Sequence, residues 1–307
     1  MNELQRTVNE YLTFCEEQKR LDAKTLKAYR IDLRQFVEAL ENFSFPEITT
    51  NILEHFIATL HRKYKPKTVK RKIASLKALF HYLEYRDIIS VNPFNKLQIK
   101  FREPVILPKI IPLHLIEALL TVMYREKDAA QTEYQRMATL RDIAVIELLF
   151  ATGMRISELC SLKPENVNLH DRNILIYGKG SKERTIQIGS DAVVHVLEEY
   201  KEVYKVGMES CGYFFVNKFR QRFSEQSVRT LINKYSSLAA IELHITPHMF
   251  RHSFATYLLE SDVDIRYIQK MLGHSSITVT EIYTHVTMEK QRDILTAKHP
   301  RGKLRVE

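Results

Sequence analysis

The sequence of 307 residues has no tryptophan, only three cysteines and only eight glycines. Cys15, Cys160 and Cys211 are scattered and odd in number, which argues against a disulfide framework and favours a reducing, cytoplasmic environment. No apolar run approaches the roughly 20 residues that span a bilayer. The amino-terminal residues are polar and lack a signal-peptide core. We therefore expect a cytoplasmic protein with no membrane partner.

The composition is that of a globular protein, because 45% of the residues are hydrophobic and both signs of charge are mixed. Basic residues nevertheless outnumber acidic ones by 46 to 37, which gives a formal charge of +9 and a pI of about 9.3. Such an excess favours a polyanionic partner, although many proteins share it. At this length the chain can form two domains, each with its own core.

The first hundred residues have the apolar periodicity of four helices. Between Arg62 and Lys77 lie eight lysines or arginines and no acidic residue. A solvated helix face usually alternates charge signs, so this run predicts a surface that follows DNA phosphates. The alternative is a basic helix that is merely soluble. The candidate DNA-binding residues of this run are Lys67, Lys70, Arg71, Lys72 and Lys77.

A segment rich in proline follows the four helices. It contains Pro93, Pro104, Pro108 and Pro112 between short apolar pieces, a composition typical of a semi-extended linker. We predict a helical DNA-binding domain over residues 1–104, a linker over 105–112 and a larger domain over 113–307. Two domains joined in this way could clamp a duplex.

The larger domain is expected to open with helices over Leu113–Tyr124 and Thr139–Ala151, with a loop or helical extension over Arg125–Met137. Gly153 then ends a helix, and the string ATGMRISEL begins the next one. Arg155 and Glu158 are three residues apart, so the carboxylate can hold the guanidinium. An ordinary surface ion pair would be worth only a fraction of a kcal/mol. The apolar surroundings favour a partly buried arginine that is positioned to bind an anion.

Two alternating apolar runs, Ile174–Tyr177 and Arg184–Ile188, flank the six residues GKGSKE and predict a β-hairpin. Lys179, Lys182 and Arg184 would be presented at its tip and contact DNA. A Walker-type phosphate loop is excluded because its spacing is absent.

Further along the chain we predict a helix from Ser190, a short strand over Tyr213–Val216 and a helix over Glu225–Ala240. Arg229, Asn233 and Lys234 would form a polar side of the last helix that faces a DNA groove. The expected fold is therefore mainly α with a small β-sheet, and the larger domain is of the α+β class.

The segment from Thr246 to Val286 has the strongest functional pattern. Thr246 and Pro247 predict a helix start with a hydroxyl cap. His248 and Arg251 lie three residues apart on its first turns, near the helix end that favours anions. A second helix from about Asp264 ends at Gly273, which would deliver His274 at a tight corner, and Tyr283 follows.

A metal site is an alternative for this segment, because His244, His248 and His252 recur every four residues. Pro247 interrupts that face, and no cysteine or carboxylate completes a zinc ligand set at the usual spacing.

Six residues in chain order resemble the catalytic signature of the tyrosine site-specific recombinases: Arg155, Lys179, His248, Arg251, His274 and Tyr283. The strings ATGMRISEL and GKGSKER and the tail THVTMEKQRDILTAKHPRGK are similar to the Xer subfamily. The polar stretch Arg125–Met137 is a few residues longer than that subfamily leads us to expect.

The resemblance implies that Tyr283 attacks a DNA phosphate and forms a 3′-phosphotyrosyl intermediate. Arg155, Arg251 and His274 would bind the phosphate oxygens, because cations that are already in place stabilise the charge of the transition state.

Proton transfer would involve two further residues. His248 would accept or orient the tyrosine proton, and Lys179 would protonate the departing 5′ oxygen. Glu158 would fix Arg155 from behind.

The resemblance also implies the partners. The protein would act on double-stranded DNA that carries a specific recombination site, as a homo- or hetero-tetramer around a Holliday junction. The segment after Tyr283, with Ile294 and Leu295 on a short helix, would dock onto a neighbouring protomer. Neither a cofactor, ATP nor a metal ion would be needed.

Three other functions stay open at this point. An integrase or excisionase of a mobile element shares every catalytic residue, and a type IB topoisomerase uses a related set. A DNA-binding architectural protein that has lost catalysis is the alternative from a different class. The Xer-like tail favours resolution of chromosome or plasmid dimers.

Overall fold

A computed structural model describes residues 3–97, 109–178 and 183–273. The chain divides into two compact units, Met1–Val105 and Ile106–Glu307. Residues 98–108 lie outside the described residues, so the proposed linker over 105–112 remains a prediction. Among the described residues, no helix is both long and apolar enough to cross a membrane.

The first unit contains the four predicted helices, whose apolar stripes meet in one core. Asp22 caps the second helix by accepting a hydrogen bond from the backbone N–H of Thr25 at 2.9 Å. Thr49 caps the third helix, and its side chain accepts a hydrogen bond from the backbone N–H of Ile52. Pro66 is the first residue of the fourth helix, where its missing N–H is not needed. The bounds are α1 Glu3–Glu17, α2 Ala23–Ala39, α3 Thr50–Lys63 and α4 Pro66–Tyr85.

Seven helices of the second unit lie within the described residues. The central one is α6 (Glu133–Thr152), which packs against four of the others and buries an apolar run around Ile143 and Leu149. A helix that is apolar on most sides belongs in a core. The remaining bounds are α5 Leu113–Asp128, α7 Ile156–Cys160, α8 Asp191–Cys211, α9 Glu225–Leu238, α10 Pro247–Glu260 and α11 Ile265–Leu272.

The stretch Arg125–Met137, predicted as a loop or a helical extension, is largely helical. The preceding helix α5 continues to Asp128, and α6 begins at Glu133 behind a capping box formed by Thr132 and Gln135. The backbone N–H of Gln135 donates to Thr132 Oγ1 at 3.1 Å. The longer stretch therefore extends two helices and leaves only a short turn between them.

The predicted hairpin is present, and a third short strand joins it. Strands β1 (Val167–Asn168), β2 (Asn173–Tyr177) and β3 (Glu183–Gln187) form an antiparallel sheet in the order β1-β2-β3. Tyr177 pairs with Glu183, so β3 begins one residue earlier than predicted.

The prediction of a strand over Tyr213–Val216 is wrong. The segment makes one isolated bridge, between Val216 and Arg222. The buried hydroxyl of Tyr200 on α8 replaces a neighbouring strand, because it donates to Phe214 O and accepts from Val216 N, each at 3.0 Å. A side chain thus satisfies backbone groups that a sheet would otherwise pair.

Candidate active site

Arg155 stands at the start of α7, immediately after the turn that ends α6. Gly153 adopts a left-handed conformation with φ of 58° and ends α6, and Arg155 is the N-cap residue of α7. Its backbone N–H donates to Glu158 Oε2 at 2.8 Å, and its guanidinium Nη1 donates to Glu158 Oε1 at 2.7 Å. The predicted pair is therefore present. The Arg155 side chain is 36% exposed, against 5% for Glu158, so the guanidinium reaches solvent from a buried anchor.

Glu158 binds a second guanidinium as well. Arg184 donates from Nη1 to Glu158 Oε1 at 2.9 Å and from Nη2 to Oε2 at 2.7 Å, in the two-pronged geometry that suits a carboxylate. Burial alone would raise the pKa of Glu158. The hydrogen bonds from Arg184 and Arg155 outweigh burial and hold the pKa below its ordinary value. The carboxylate is therefore ionised at neutral pH.

The placement of Arg184 does not fit the predicted DNA contact at the hairpin tip. Arg184 lies on β3 and its side chain is only 10% exposed. Besides Glu158, it contacts the end of α11, where its Nε donates to the carbonyl oxygen of Met271 at 2.8 Å. Its guanidinium is thus used inside the unit, between α7 and α11.

Arg251 is buried on α10, with 4% of its surface exposed. Its Nη1 donates to the carbonyl oxygen of Gly153 at 2.9 Å, and its Nη2 donates to the carbonyl oxygen of Leu272 at 2.7 Å. Arg184 and Arg251 therefore bind the last two carbonyls of α11, at the helix end that favours cations. This arrangement ties Arg251 to the turn before Arg155.

Gly273 ends α11 in a left-handed conformation with φ of 65°, as predicted. A Cβ atom at this position would lie 2.9 Å from Arg184 Cδ, so both the backbone and the packing require glycine. His274 follows directly in sequence but lies outside the described residues, as do Lys179, Lys182, Tyr283 and the tail with Ile294 and Leu295. Their catalytic, DNA-binding and docking roles remain predictions.

The start of α10 agrees only in part with the prediction. Thr246 occupies the N-cap position and Pro247 the first helical position, but the Thr246 hydroxyl makes no capping hydrogen bond. His248 is exposed, whereas Arg251 one turn later is buried. The exposed imidazole is accessible to a substrate from solvent.

Sequence reasoning considered His252 only as a metal ligand and missed it as an ionisable group beside Arg251. It adjoins Arg251 and is partly buried. Burial, with the charges of His248 and Arg251, lowers its pKa to about 4. His252 is therefore neutral at pH 7. The available signal was its position beside a buried arginine.

Two of the predicted DNA-binding residues on α4 belong to an internal charge cluster. Lys72 is buried, and its Nζ donates to Asp32 Oδ1 on α2 at 2.9 Å. Arg71 also pairs with Asp32, but 44% of its side chain stays exposed. The placement of Lys72 does not fit a phosphate contact, while that of Arg71 still permits one.

The other described DNA-binding candidates are all on the surface, and they are Lys67, Lys70, Lys77, Arg229, Asn233 and Lys234. Arg229 pairs with Glu225 at 3.1 Å along α9. Exposure is required for a phosphate contact, so these six residues remain candidates.

The metal alternative finds no support in the geometry. Within residues 3–97, 109–178 and 183–273, no three His, Cys, Asp or Glu side chains are grouped so that they could hold a metal ion. His244, His248 and His252 are among these residues.

The described part of the site is an electropositive network. Arg155 and Arg184 both bind the carboxylate of Glu158, while Arg251 binds the carbonyl oxygens of Gly153 and Leu272. Three guanidinium groups and one carboxylate leave two positive charges in excess. Guanidinium groups stay protonated at any ordinary pH. Held by buried anchors, they suit a substrate whose negative charge grows during reaction, such as a phosphodiester.

Comparison with known proteins agrees with this chemistry. Residues 122–290 match the phage integrase family, and residues 8–87 match the SAM-like domain found at the N-terminus of phage integrases. The chain therefore belongs to the phage integrase family, as a tyrosine recombinase of the Xer-like type.

Three known proteins illustrate the similarity. A tyrosine recombinase of Agathobacter rectalis is 59% identical over 98% of both chains. The tyrosine recombinase XerD of Listeria monocytogenes is 36% identical over 98% of this chain and 100% of its own. The structure of XerH bound to its difH substrate, a post-cleavage complex, has the same fold, with a TM-score of 0.73 at 20% identity over 94% of this chain and 84% of that one.

Proposed function

We propose that the protein cleaves and rejoins DNA at a specific site through a covalent 3′-phosphotyrosyl bond formed by Tyr283. The main support is the network in which Glu158 joins Arg155 to Arg184, while Arg184 and Arg251 hold the end of α11. His274 is two residues beyond Leu272 in sequence, so that network lies at the base of the segment that carries it.

In this proposal the phosphate is bound by the Arg155 guanidinium, which reaches solvent, and by His274. Arg251 is the third proposed ligand, although its guanidinium is buried in this structure and donates to two carbonyl oxygens. A phenol with a pKa near 10 costs about 4 kcal/mol to ionise at pH 7, and neighbouring cations offset much of that cost. The exposed imidazole of His248 accepts or orients the phenolic proton.

Lys179 then protonates the departing 5′ oxygen. In sequence it lies between the paired residues Tyr177 and Glu183, so the hairpin brings it into the same domain as Arg184. The phosphotyrosyl linkage keeps the energy of the broken bond, and the 5′-hydroxyl of a partner strand then attacks it. Rejoining therefore needs no nucleotide.

The proposed partner is double-stranded DNA with a specific recombination site, bound by four protomers around a Holliday junction. The net charge of +9 and the exposed lysines of α4 favour DNA binding. The XerH structure of the same fold was solved with its difH substrate. Closure of the two domains around the duplex and action in the cytoplasm belong to the same proposal.

The biological role we favour is resolution of chromosome or plasmid dimers. The similarity to XerD extends over the full length of that protein and over 98% of this chain. Loss of the gene would then raise the fraction of dimeric plasmid in growing cells, whereas a mobile-element integrase would leave that fraction unchanged.

A nicked suicide duplex tests the chemistry. The duplex carries a site selected for binding to the full chain, and it loses a short fragment on cleavage, so the covalent adduct accumulates. We expect a protein–DNA adduct that resists denaturation, forms in EDTA and is absent with Tyr283→Phe. A duplex that is bound but never forms an adduct would favour the architectural alternative.

The acid role of Lys179 has its own variant. Lys179→Ala should bind the duplex normally and form the adduct slowly, because an unprotonated alkoxide is a poor leaving group. Adduct formation at the wild-type rate would contradict this role.

A further inference from the structure

We infer that Arg184 is a positioning residue for catalysis: it holds the end of α11, whose capping residue Gly273 directly precedes His274 in the sequence. The inference rests on the proposed function and adds a residue that does not touch DNA. Three nitrogens of its guanidinium each make a described hydrogen bond, with Nη1 and Nη2 on Glu158 and Nε on Met271 O. A single planar group therefore spans the space between α7 and α11.

The bonds of Arg184 to Glu158 and to Met271 have different effects. The paired bonds to Glu158 fix the plane of the guanidinium, because two parallel contacts to one carboxylate allow little rotation. With that plane fixed, Nε points at the Met271 carbonyl oxygen from 2.8 Å. The position of α7, which carries Arg155, is thereby transmitted to the end of α11.

The packing around Gly273 supports the same conclusion. The Arg184 side chain passes so close that an added Cβ on Gly273 would lie 2.9 Å from Cδ and 3.2 Å from Nη1. Arg184 thus contacts the end of α11 through its aliphatic stem as well as through Nε. The turn at Gly273 is therefore fixed by the Arg184 side chain as well as by its own backbone conformation.

Lysine cannot reproduce these contacts. Its ammonium is a point charge on a flexible stem, so it can pair with Glu158 but cannot bind both oxygens and Met271 O in one plane. Arg184→Lys therefore keeps the charge of the network and removes its geometry.

The test is the single-turnover rate of adduct formation at saturating protein, with DNA affinity measured separately by gel shift. We expect Arg184→Lys to slow adduct formation by about tenfold or more, because a misplacement of about 1 Å at a reacting centre can cost about 100-fold in rate. Affinity should stay within about twofold, since the side chain is buried. Gly273→Ala keeps the arginine and should show the same slow rate.

A double-mutant cycle distinguishes positioning from a general loss of stability. If Arg184 acts through His274, then Arg184→Lys in a His274→Ala background should cost about threefold or less. An equal loss in both backgrounds would overturn the inference, as would a wild-type rate for Arg184→Lys.

Arg141→Lys is the matched control. Arg141 is also a largely buried arginine bound to a carboxylate: it is 13% exposed, pairs with Asp142 at 2.7 Å and lies over the ring of Phe223. The Arg141→Lys variant should lower the melting temperature as Arg184→Lys does, yet keep the rate of adduct formation within about twofold of the wild-type rate. If both variants slowed the rate equally, the role of Arg184 would be structural. Absence of any adduct with the wild-type protein would instead count against the proposed function.

Discussion

The guanidinium of Arg251 donates to the carbonyl oxygen of Gly153 at 2.9 Å, across 98 residues of sequence. Gly153 ends the central helix α6 and stands two residues before Arg155. One predicted phosphate ligand therefore holds the turn that presents the other. Because Arg251 is buried, this bond lies away from solvent and screening by salt is weak.

Gly153→Ala should disturb this turn. Gly153 has a positive φ, and an added Cβ would lie 2.6 Å from the ring atom Cδ1 of Phe254. Backbone strain and overpacking together should cost about 2–4 kcal/mol of unfolding free energy, measured by urea denaturation. Gly212→Ala is the control, because Gly212 also has a positive φ but no atom within 4 Å of its added Cβ. A loss of about 1 kcal/mol is expected there, and equal losses would refute the packing argument.

Glu158→Gln should release both guanidinium groups. Removing one partner of a buried ionic cluster leaves the others unpaired, which should cost about 2–4 kcal/mol at pH 7 and slow adduct formation. Glu225→Gln, which breaks the Arg229 pair on α9, should cost less than about 1 kcal/mol.

The effect of Glu158→Gln should also depend on pH. The folded pKa of Glu158 is lowered, so its ionised form contributes stability above the unfolded pKa and loses it as pH falls through the folded pKa. The difference in unfolding free energy between wild type and variant should therefore shrink below about pH 4. A constant difference down to pH 2 would contradict the assignment.

His252 gives a second dependence on pH, in a different range. Its folded pKa is about 4, below the value of about 6.5 for an unfolded histidine, so the unfolded chain binds the extra proton between these values. Stability should fall as pH decreases from about 6.5 to 4. In His252→Gln this fall should be smaller by about 2 kcal/mol, measured by denaturation across the range. Parallel curves for the two proteins would show that His252 does not titrate in this way.

The lysines of α4 should separate into two groups. Lys67 and Lys77 are exposed, so replacing both by alanine should weaken DNA binding and lower the slope of log affinity against log salt by about 1.8. Lys201→Ala, an exposed lysine of α8, is the control and should leave the slope unchanged.

Lys72→Met should behave in the opposite manner. Lys72 is buried beside Asp32, so the variant should lose about 1–3 kcal/mol of stability while its salt slope stays at the wild-type value. A reduced slope would show that Lys72 reaches the phosphates after all.

Much of the fold could be predicted from periodicity and breaker residues. The stripes of α1 to α4, the turn at Gly153 and the end of α11 at Gly273 all depend on local sequence, and all three are present. The prediction of a strand over Tyr213–Val216 failed because its backbone groups bond to separate partners: the Tyr200 hydroxyl, Leu162 O and Phe223 N. No local pattern contains those contacts.

The site could be predicted only where its contacts depend on local sequence. The Arg155–Glu158 pair is a matter of helical spacing, whereas the bonds of Arg184 join three separate elements. Two signals were nevertheless available. Arg184 is two residues from the buried Ile186, so the two side chains share one face of β3. Lys72 lies three residues after Val69 and four before Leu76, on the buried side of α4.

The helix α11 is only eight residues long, and isolated helices of fewer than about 12 residues are marginal in water. Its buried residues Ile268 and Leu272 pack with Ala255 in a small cluster apart from the main core. The carbonyl groups that accept hydrogen bonds from Arg184 and Arg251 thus belong to a helix with little stability of its own. Amide hydrogen exchange in α11 should be faster than in α6, and each opening would dismantle the arginine network while the domain stays folded. The fraction of enzyme with an intact arginine network is therefore set by the local opening equilibrium of α11, which depends on a few aliphatic contacts.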